Sequence, residues 1–175
     1  MTIAIADWRR LGHRSAHPAS AVRAKIADLA SPDTCVLHTI NVGLPDCAID
    51  HLVISPAGVF AVITREETSR DVHVDGYTMT VGDTQVPHLR HAKFAAERAS
   101  TLLTAHSDFD VPVRACLVLL TGSHAPHVTV DHRPHGVTVL TKGDIPRFFR
   151  HQPAILTEEQ VWDLRAIARR SATWA

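Results

Sequence analysis

Two charged residues, Asp50 and Arg65, lie on neighbouring predicted strands at positions where their side chains can meet. Residues 48–54 and 59–64 have the composition of strands, and a Ser-Pro-Ala-Gly sequence joins them as a tight turn. Side chains alternate between the two faces of a strand, so an acid that begins one strand can face the end of the next. We therefore expect Asp50 to lie near Ile63 and Arg65, at the open end of a hairpin.

A second set of charges follows one face of a predicted helix over residues 88–106. Arg90, Lys93 and Glu97 stand at i, i+3 and i+7 and therefore share a face. They are candidates for a site, and the alternative is a solvated face with ordinary charge pairs.

Histidine is abundant, with 13 residues, and several are three positions apart. Such pairs can bind zinc or nickel, but here they lack an HExxH context and cysteine partners, which favours ordinary polar roles. By strand parity His51 points away from Asp50, and we expect it to be packed and hydrogen-bonded. The spaced pairs are His88 with His91, His124 with His127, and His132 with His135.

The segment that carries Asp50 resembles a known nuclease motif. Residues 49–60 read IDHLVISPAGVF, which is similar to the central motif of the nuclease-related domain (NERD) family, "iDHvvi-psGvfviEtK". In that family the motif joins two strands of a PD-(D/E)xK nuclease core. The likeness continues as a pattern, with a proline-led helix after Pro87, a buried strand and a late helix, and it covers most of residues 18–170.

The resemblance implies metal-dependent phosphodiester hydrolysis. Two carboxylates and a backbone carbonyl would hold Mg²⁺, and a lysine would orient or activate the attacking water. The first acid corresponds to Asp50, whereas the second falls at Ile63, which has no oxygen ligand, and the lysine falls at Arg65, which stays protonated. The family's first-helix glutamate has no counterpart in residues 21–24, and its later glutamine corresponds to Arg90.

Three hypotheses follow from this eroded motif. The first is a nuclease-related domain with impaired catalysis that binds DNA or RNA through Arg65, Arg90 and Lys93, or binds a protein partner. The second is an active Mg²⁺-dependent nuclease in which Lys93 and Glu97 replace lost groups around Asp50. The third is a structural interaction module.

Two further observations bear on these hypotheses. In the second hypothesis, a bulge after Arg65 would let Glu66 or Glu67 turn inward as a replacement acid. The distribution of basic residues separates nucleic acid from protein as the partner, since a nucleic-acid site gathers them around one cleft. Those residues are Arg9, Arg10, Arg14, Arg65, Arg90, Lys93, Arg165, Arg169 and Arg170.

The order of predicted elements indicates an α/β fold, namely a restriction-endonuclease-like mixed β-sheet flanked by helices in a single domain. We assign residues 1–17 to an N-terminal extension, 18–170 to the nuclease-related domain and 171–175 to a C-terminal tail. The predicted helices cover 18–29, 88–106, 144–150 and 157–170, and the predicted strands 35–42, 48–54, 59–64, 72–81 (a hairpin), 113–120 and 136–140.

Composition is that of one soluble domain. The chain has 175 residues, 45% of them hydrophobic, and its 18 basic residues balance 18 acidic ones, so composition gives nucleic-acid binding no support. The three cysteines lack CxxC spacing, which argues against disulfides and zinc. No apolar run approaches the roughly 20 residues of a membrane span, so we expect no membrane association and a cytoplasmic location. The oligomeric state stays open.

Overall fold

The computed structural model describes residues 16–43, 47–67, 71–121 and 125–175. Its helices are α1 (Ala16–Ala27), α2 (His88–Thr104), α3 (Ile145–Arg150) and α4 (Glu158–Ala168), followed by a 3-10 turn at Ser171–Trp174. Its strands are β1 (Cys35–Asn41), β2 (Ala48–Ser55), β3 (Gly58–Glu66), β4 (Asp71–Asp75), β5 (Thr78–Val81), β6 (Thr84–Gln85), β7 (Val113–Leu120), β8 (His127–His132) and β9 (Val137–Thr141).

The main sheet has the strand order β1-β2-β3-β7-β9. The first three strands form an antiparallel meander, and β7 and β9 then add in parallel. β3 lies at the centre of this sheet, and its side chains from Val59 to Ile63 are almost fully buried. A strand covered on both faces is expected to be a continuous apolar run, and this one is.

Helices cover both faces of the main sheet. On one face, Val22 and Ile26 of α1 and Ile145 of α3 pack with Phe60 and Val118 of the strands. On the other face, α2 and α4 pack on a larger apolar layer that includes Leu52, Ala61, Ile63 and Leu117. Asp50 and Arg65 are therefore held at the end of a rigid sheet.

A second, smaller sheet has the order β6-β5-β4-β8. Its parallel pair β4–β8 carries histidine–aspartate pairs that cross between the strands. The nitrogen–oxygen distances are 3.2 Å for His73–Asp131, 3.8 Å for His127–Asp71 and 2.6 Å for His132–Asp75. These histidines are polar partners within the sheet.

The predicted fold class is confirmed, since the chain forms mixed sheets flanked by helices. The hairpin at β4–β5 and the capping box at Thr157 and Gln160 are also present as predicted. Two strands were missed: β6 is only two residues long, and β8 lies in a segment that proline and histidine made look like a loop. The residues predicted as a tail begin with the 3-10 turn, and most of the predicted extension, residues 1–15, lies outside the described residues.

Helix boundaries differ by a few residues from the predicted ones. α1 begins at Ala16, two residues before Pro18. Proline is tolerated anywhere in the first helical turn, because the N–H groups of that turn have no partner within the helix. α4 ends at Ala168 and the predicted helix at Arg170.

Candidate functional site

Asp50 and Arg65 meet at the open end of the β2–β3 hairpin, as the strand parity predicted. The carboxylate Oδ2 of Asp50 accepts a hydrogen bond of 2.6 Å from the backbone N–H of Thr64. The same oxygen lies 3.9 Å from Nη1 of Arg65. This nitrogen also donates a hydrogen bond of 2.8 Å to the Thr64 carbonyl. The last paired residues of β2 and β3 at this end are His51 and Val62. Beyond them, the Asp50 carboxylate accepts the Thr64 N–H in place of a backbone carbonyl.

The neighbouring strand is distorted at the same level. Thr39 has a φ of +56°, a conformation that β-branched residues rarely adopt. It lies between the β1–β2 pairs His38–His51 and Ile40–Ile49. Strict alternation would place Ile49 and Leu52 on opposite faces, yet both belong to the same apolar layer. The side-chain alternation of β2 is therefore interrupted between these two residues, next to Asp50.

The residues around Asp50 do not fit a Mg²⁺ site of the kind that the resemblance implies. Ile63 is only 2% exposed and belongs to the apolar layer beneath α2. Mg²⁺ requires several oxygen ligands, whereas one oxygen of Asp50 is already engaged by Thr64 and faces Arg65. Within the described ranges, no three His, Cys, Asp or Glu side chains come together as a metal-binding group.

Burial raises the pKa of Asp50, although the Thr64 N–H and the Arg65 guanidinium both act to lower it. The carboxylate thus gains too little from its two partners to offset the loss of water around it. Its side chain is 42% exposed, so solvent still reaches the carboxylate.

A second acid, Glu67, reaches the α2 face beyond Arg65. Its Oε1 lies 2.5 Å from Nε2 of His88 at the start of α2, and the two side chains are only 13% and 15% exposed. The sequence suggested that a bulge after Arg65 could turn Glu66 or Glu67 inward, and Glu67 reaches this face without one. Residues 63, 65 and 67 share a face by ordinary alternation, and the register against β7 is regular up to Glu66.

Other predicted site residues lie along α2. Arg90 and His91 are exposed, and the pKa of His91 is lowered by partial burial and by the nearby charges of Arg65 and Arg90. Lys93 and Glu97 are paired with each other at 3.8 Å, with 44% and 64% of their side chains exposed. Neither forms a hydrogen bond or ion pair with Asp50 in the described part of the chain, and their catalytic role stays a prediction.

His51 is buried and hydrogen-bonded, as predicted. Its Nδ1 lies 2.7 Å from Nδ1 of His38, and the two rings meet edge to face. Such a contact needs one ring to donate and the other to accept, so at least one of these nitrogens is unprotonated. Burial, with further contributions from His38 and Arg23, lowers the pKa of His51 to about 4.

The basic residues are not all gathered around the Asp50 end. Arg165 donates to the Pro32 carbonyl at 2.6 Å, and Nη2 of Arg169 lies 3.8 Å from Sγ of Cys35. Cys35 pairs with Ile54 beside the hairpin turn, which at about 3.3 Å per residue is about 13 Å along β2 from Asp50. The basic side chains are thus divided between the two ends of the hairpin. Residues 9, 10 and 14 lie outside the described residues.

No protein-family model, curated protein or solved structure matches this chain. The likeness to the NERD family therefore depends on the residues quoted for it. Among the described residues, no helix is long and apolar enough to cross a membrane.

Proposed function

We propose that this chain is a nuclease-like domain that does not hydrolyse phosphodiesters and acts by binding a protein partner. The absence of hydrolysis is inferred from the residues at the positions where the resemblance implies a catalytic centre. Oδ2 of Asp50 accepts from the Thr64 N–H and faces Arg65, while Ile63 is buried in the apolar layer. A phosphodiester hydrolase needs a cation or equivalent charge at the developing phosphorane and a group that orients water. Ile63 offers no oxygen ligand for a cation, and Arg65 stands where the family has the lysine that orients water. Neither requirement is therefore met as it is in the family.

The division of the basic residues supports a protein rather than a nucleic acid as the partner. Phosphate contacts dominate nucleic-acid affinity, and they require several cations along one surface. Here Arg65 is engaged by Asp50, Lys93 by Glu97, and Arg165 by the distant Pro32 carbonyl. The whole chain also has no net charge.

A second candidate is an active nuclease with shifted ligands, and Glu67 is the observation in its favour. This acid lies on the same face of β3 as Arg65 and is held in place by His88. It is the described residue best placed to replace the acid lost at Ile63.

The test is a cleavage assay on the purified full chain with linear, nicked and single-stranded DNA and with RNA, in Mg²⁺ or Mn²⁺. We expect no cleavage above that of Asp50→Ala, which measures contaminating nuclease. Chelator-sensitive cleavage that Asp50→Ala abolishes would overturn the proposal. If Glu67→Gln also abolished it while the protein stayed folded, the second candidate would be correct.

A gel-shift titration with the same nucleic acids tests the choice of partner. We expect no binding at physiological salt. Binding that Arg65→Ala and Arg90→Ala each weaken would show a nucleic-acid surface at the open end and contradict the protein partner. Lys142→Ala, which removes an exposed lysine elsewhere, is the matched control.

A further inference from the structure

A small groove opens at the turn end of the β2–β3 hairpin. It has a volume of about 210 Å³ and is lined by Pro32, Asp33, Pro56, Glu158, Val161 and Trp162. Small-molecule sites usually measure roughly 300–1,000 Å³. This groove is therefore the size of a single side chain.

Trp162 gives the groove an aromatic wall, and its side chain is 60% exposed although it is large and apolar. The guanidinium carbon of Arg165 lies 4.9 Å from the centre of the ring, within the range of a cation–π contact. The same guanidinium donates to the Pro32 carbonyl. Arg165 therefore holds the indole beside the prolines, and the indole already serves as a surface for a guanidinium.

Ile155 extends the apolar surface next to this groove. It is 58% exposed, and its backbone N–H and that of Leu156 both donate to the Pro56 carbonyl, at 2.8 and 2.9 Å. These two bonds fix the segment before α4 against the hairpin turn. Ile155 and Trp162 are thus two exposed apolar side chains on segments that border the same turn.

The charge of the groove restricts what can occupy it. Asp33 and Glu158 are both exposed, and neither forms an ion pair with any described residue. A phosphate would be repelled by two carboxylates. A purely apolar group would remove them from water without compensation. A guanidinium suits both the tryptophan and the carboxylates of the groove, because it stacks on aromatic rings and binds carboxylates through two parallel hydrogen bonds.

We propose that this groove binds an arginine side chain presented by a peptide segment of a partner protein. The guanidinium stacks on the face of Trp162 that Arg165 does not cover and pairs with Asp33 or Glu158. The aliphatic stem lies along Pro32, Pro56 and Val161. This inference rests on the proposed protein-binding function and names the surface and the chemistry of the partner.

The experiment uses the full chain labelled with ¹⁵N and heptapeptides that carry one central arginine between leucine and glycine residues. Matched peptides carry lysine, citrulline or glutamate at the centre. The side-chain N–H signal of Trp162, assigned with Trp162→Phe, reports on the groove. That of Trp174, which donates to the Ala168 carbonyl at 2.8 Å, is the internal control.

We expect the arginine peptide to shift the Trp162 signal in a saturable way, the lysine peptide to bind more weakly, and the citrulline and glutamate peptides to leave it unchanged. Asp33→Asn with Glu158→Gln should weaken binding by roughly tenfold or more, as expected for the loss of a charge-assisted hydrogen bond. Glu159→Gln changes an adjacent exposed acid that does not line the groove, and it should have no effect.

No shift of the Trp162 signal at millimolar arginine peptide would overturn the proposal, and so would equal shifts with the glutamate peptide. An oligonucleotide that binds through Trp162 would overturn it as well. These outcomes are separate from those of the cleavage assay, because peptide binding can fail in a protein that does not cleave. Cleavage would contradict the proposed function whatever the groove binds.

Discussion

The two ends of the β2–β3 hairpin use their charged residues in opposite ways. At the open end, Asp50 is engaged by Thr64 and Arg65, and Glu67 by His88. At the turn end, the carboxylates of the groove have no ionic partner among the described residues and stand beside an exposed tryptophan. The motif that resembles a nuclease thus has its own charges, Asp50 and Arg65, paired within the fold, whereas the carboxylates of the groove have no such partner.

The residues packed beneath the two ends also differ. Below the open end, Ile63, where the resemblance implies a metal-binding acid, belongs to the apolar layer under α2. At the turn end, Arg114 donates to the Ala57 carbonyl and to Gln152, and it lies 4.1 Å from the centre of the Phe60 ring. The turn end is thereby fixed as a frame, as a binding surface requires.

The largest effect should follow from placing a carboxylate at position 63, where the resemblance implies one. Ile63→Glu places a carboxylate in a position that is 2% exposed, and an uncompensated buried charge costs about 3–5 kcal/mol of unfolding free energy. Ile63→Val, the matched control, should cost only about 1 kcal/mol. Urea unfolding with and without Mg²⁺ measures both variants.

The same experiment tests the account of the open end. If Ile63→Glu combined with Arg65→Lys were as stable as the wild type and gained further stability from Mg²⁺, the position would be a working ligand site. The description of a closed apolar position would then be wrong.

The hairpin and its convergent residues were predictable because they depend on local rules. Strand alternation and a four-residue turn are enough to bring Asp50 and Arg65 together. The same alternation would have placed Glu67 on that face without a bulge. The positive φ of Thr39 was not predictable, because nothing in a β-branched residue favours it.

The groove was beyond the reach of sequence reasoning for a different reason. Its walls come from the segment before β1, the hairpin turn and α4, and the bond from Arg165 to the Pro32 carbonyl joins residues 133 positions apart. Only the packing of α4 on the sheet brings these parts together. Trp162 follows the buried Val161 in a helical pattern, which indicates an exposed position but not its neighbours.

A moderate effect should come from lowering the pH, through His51 at the open end. With a pKa of about 4 in the folded state and 6.5 in the unfolded state, His51 is neutral in both states well above pH 6.5. As the pH falls from 6.5 to about 4, the unfolded state binds the proton first. Stability therefore falls by up to about 3 kcal/mol, at 1.36 kcal/mol per pKa unit.

Asp50 acts with the opposite sign, because its pKa is raised. The folded state binds that proton more tightly than the unfolded state, so its protonation adds stability as the pH falls. Urea unfolding of the wild type and His51→Phe between pH 7 and 4.5 separates the two. His51→Phe should lose much of the acid destabilisation, and His151→Phe, at an exposed histidine, should keep it. Equal slopes for all three proteins would contradict the role of His51.

The smallest effect should come from breaking the Asp50–Arg65 pair. The closest atoms are 3.9 Å apart, and the side chains of Arg65 and Asp50 are 37% and 42% exposed, so solvent screens their attraction. Ion pairs of this kind are worth about 1 kcal/mol or less. A double-mutant cycle with Asp50→Asn and Arg65→Ala, measured by urea unfolding, should give a coupling energy within that limit.

Arg114→Ala is the comparison at the turn end. It removes hydrogen bonds from a guanidinium to two acceptors as well as the contact with Phe60, and it should cost about 2–3 kcal/mol. A coupling energy above 2 kcal/mol for Asp50 with Arg65 would mean that this ion pair stabilises the fold about as much as Arg114 does at the turn end. The pair would then not be the weak, solvent-screened kind, and the expected order of effects at the two ends would be wrong.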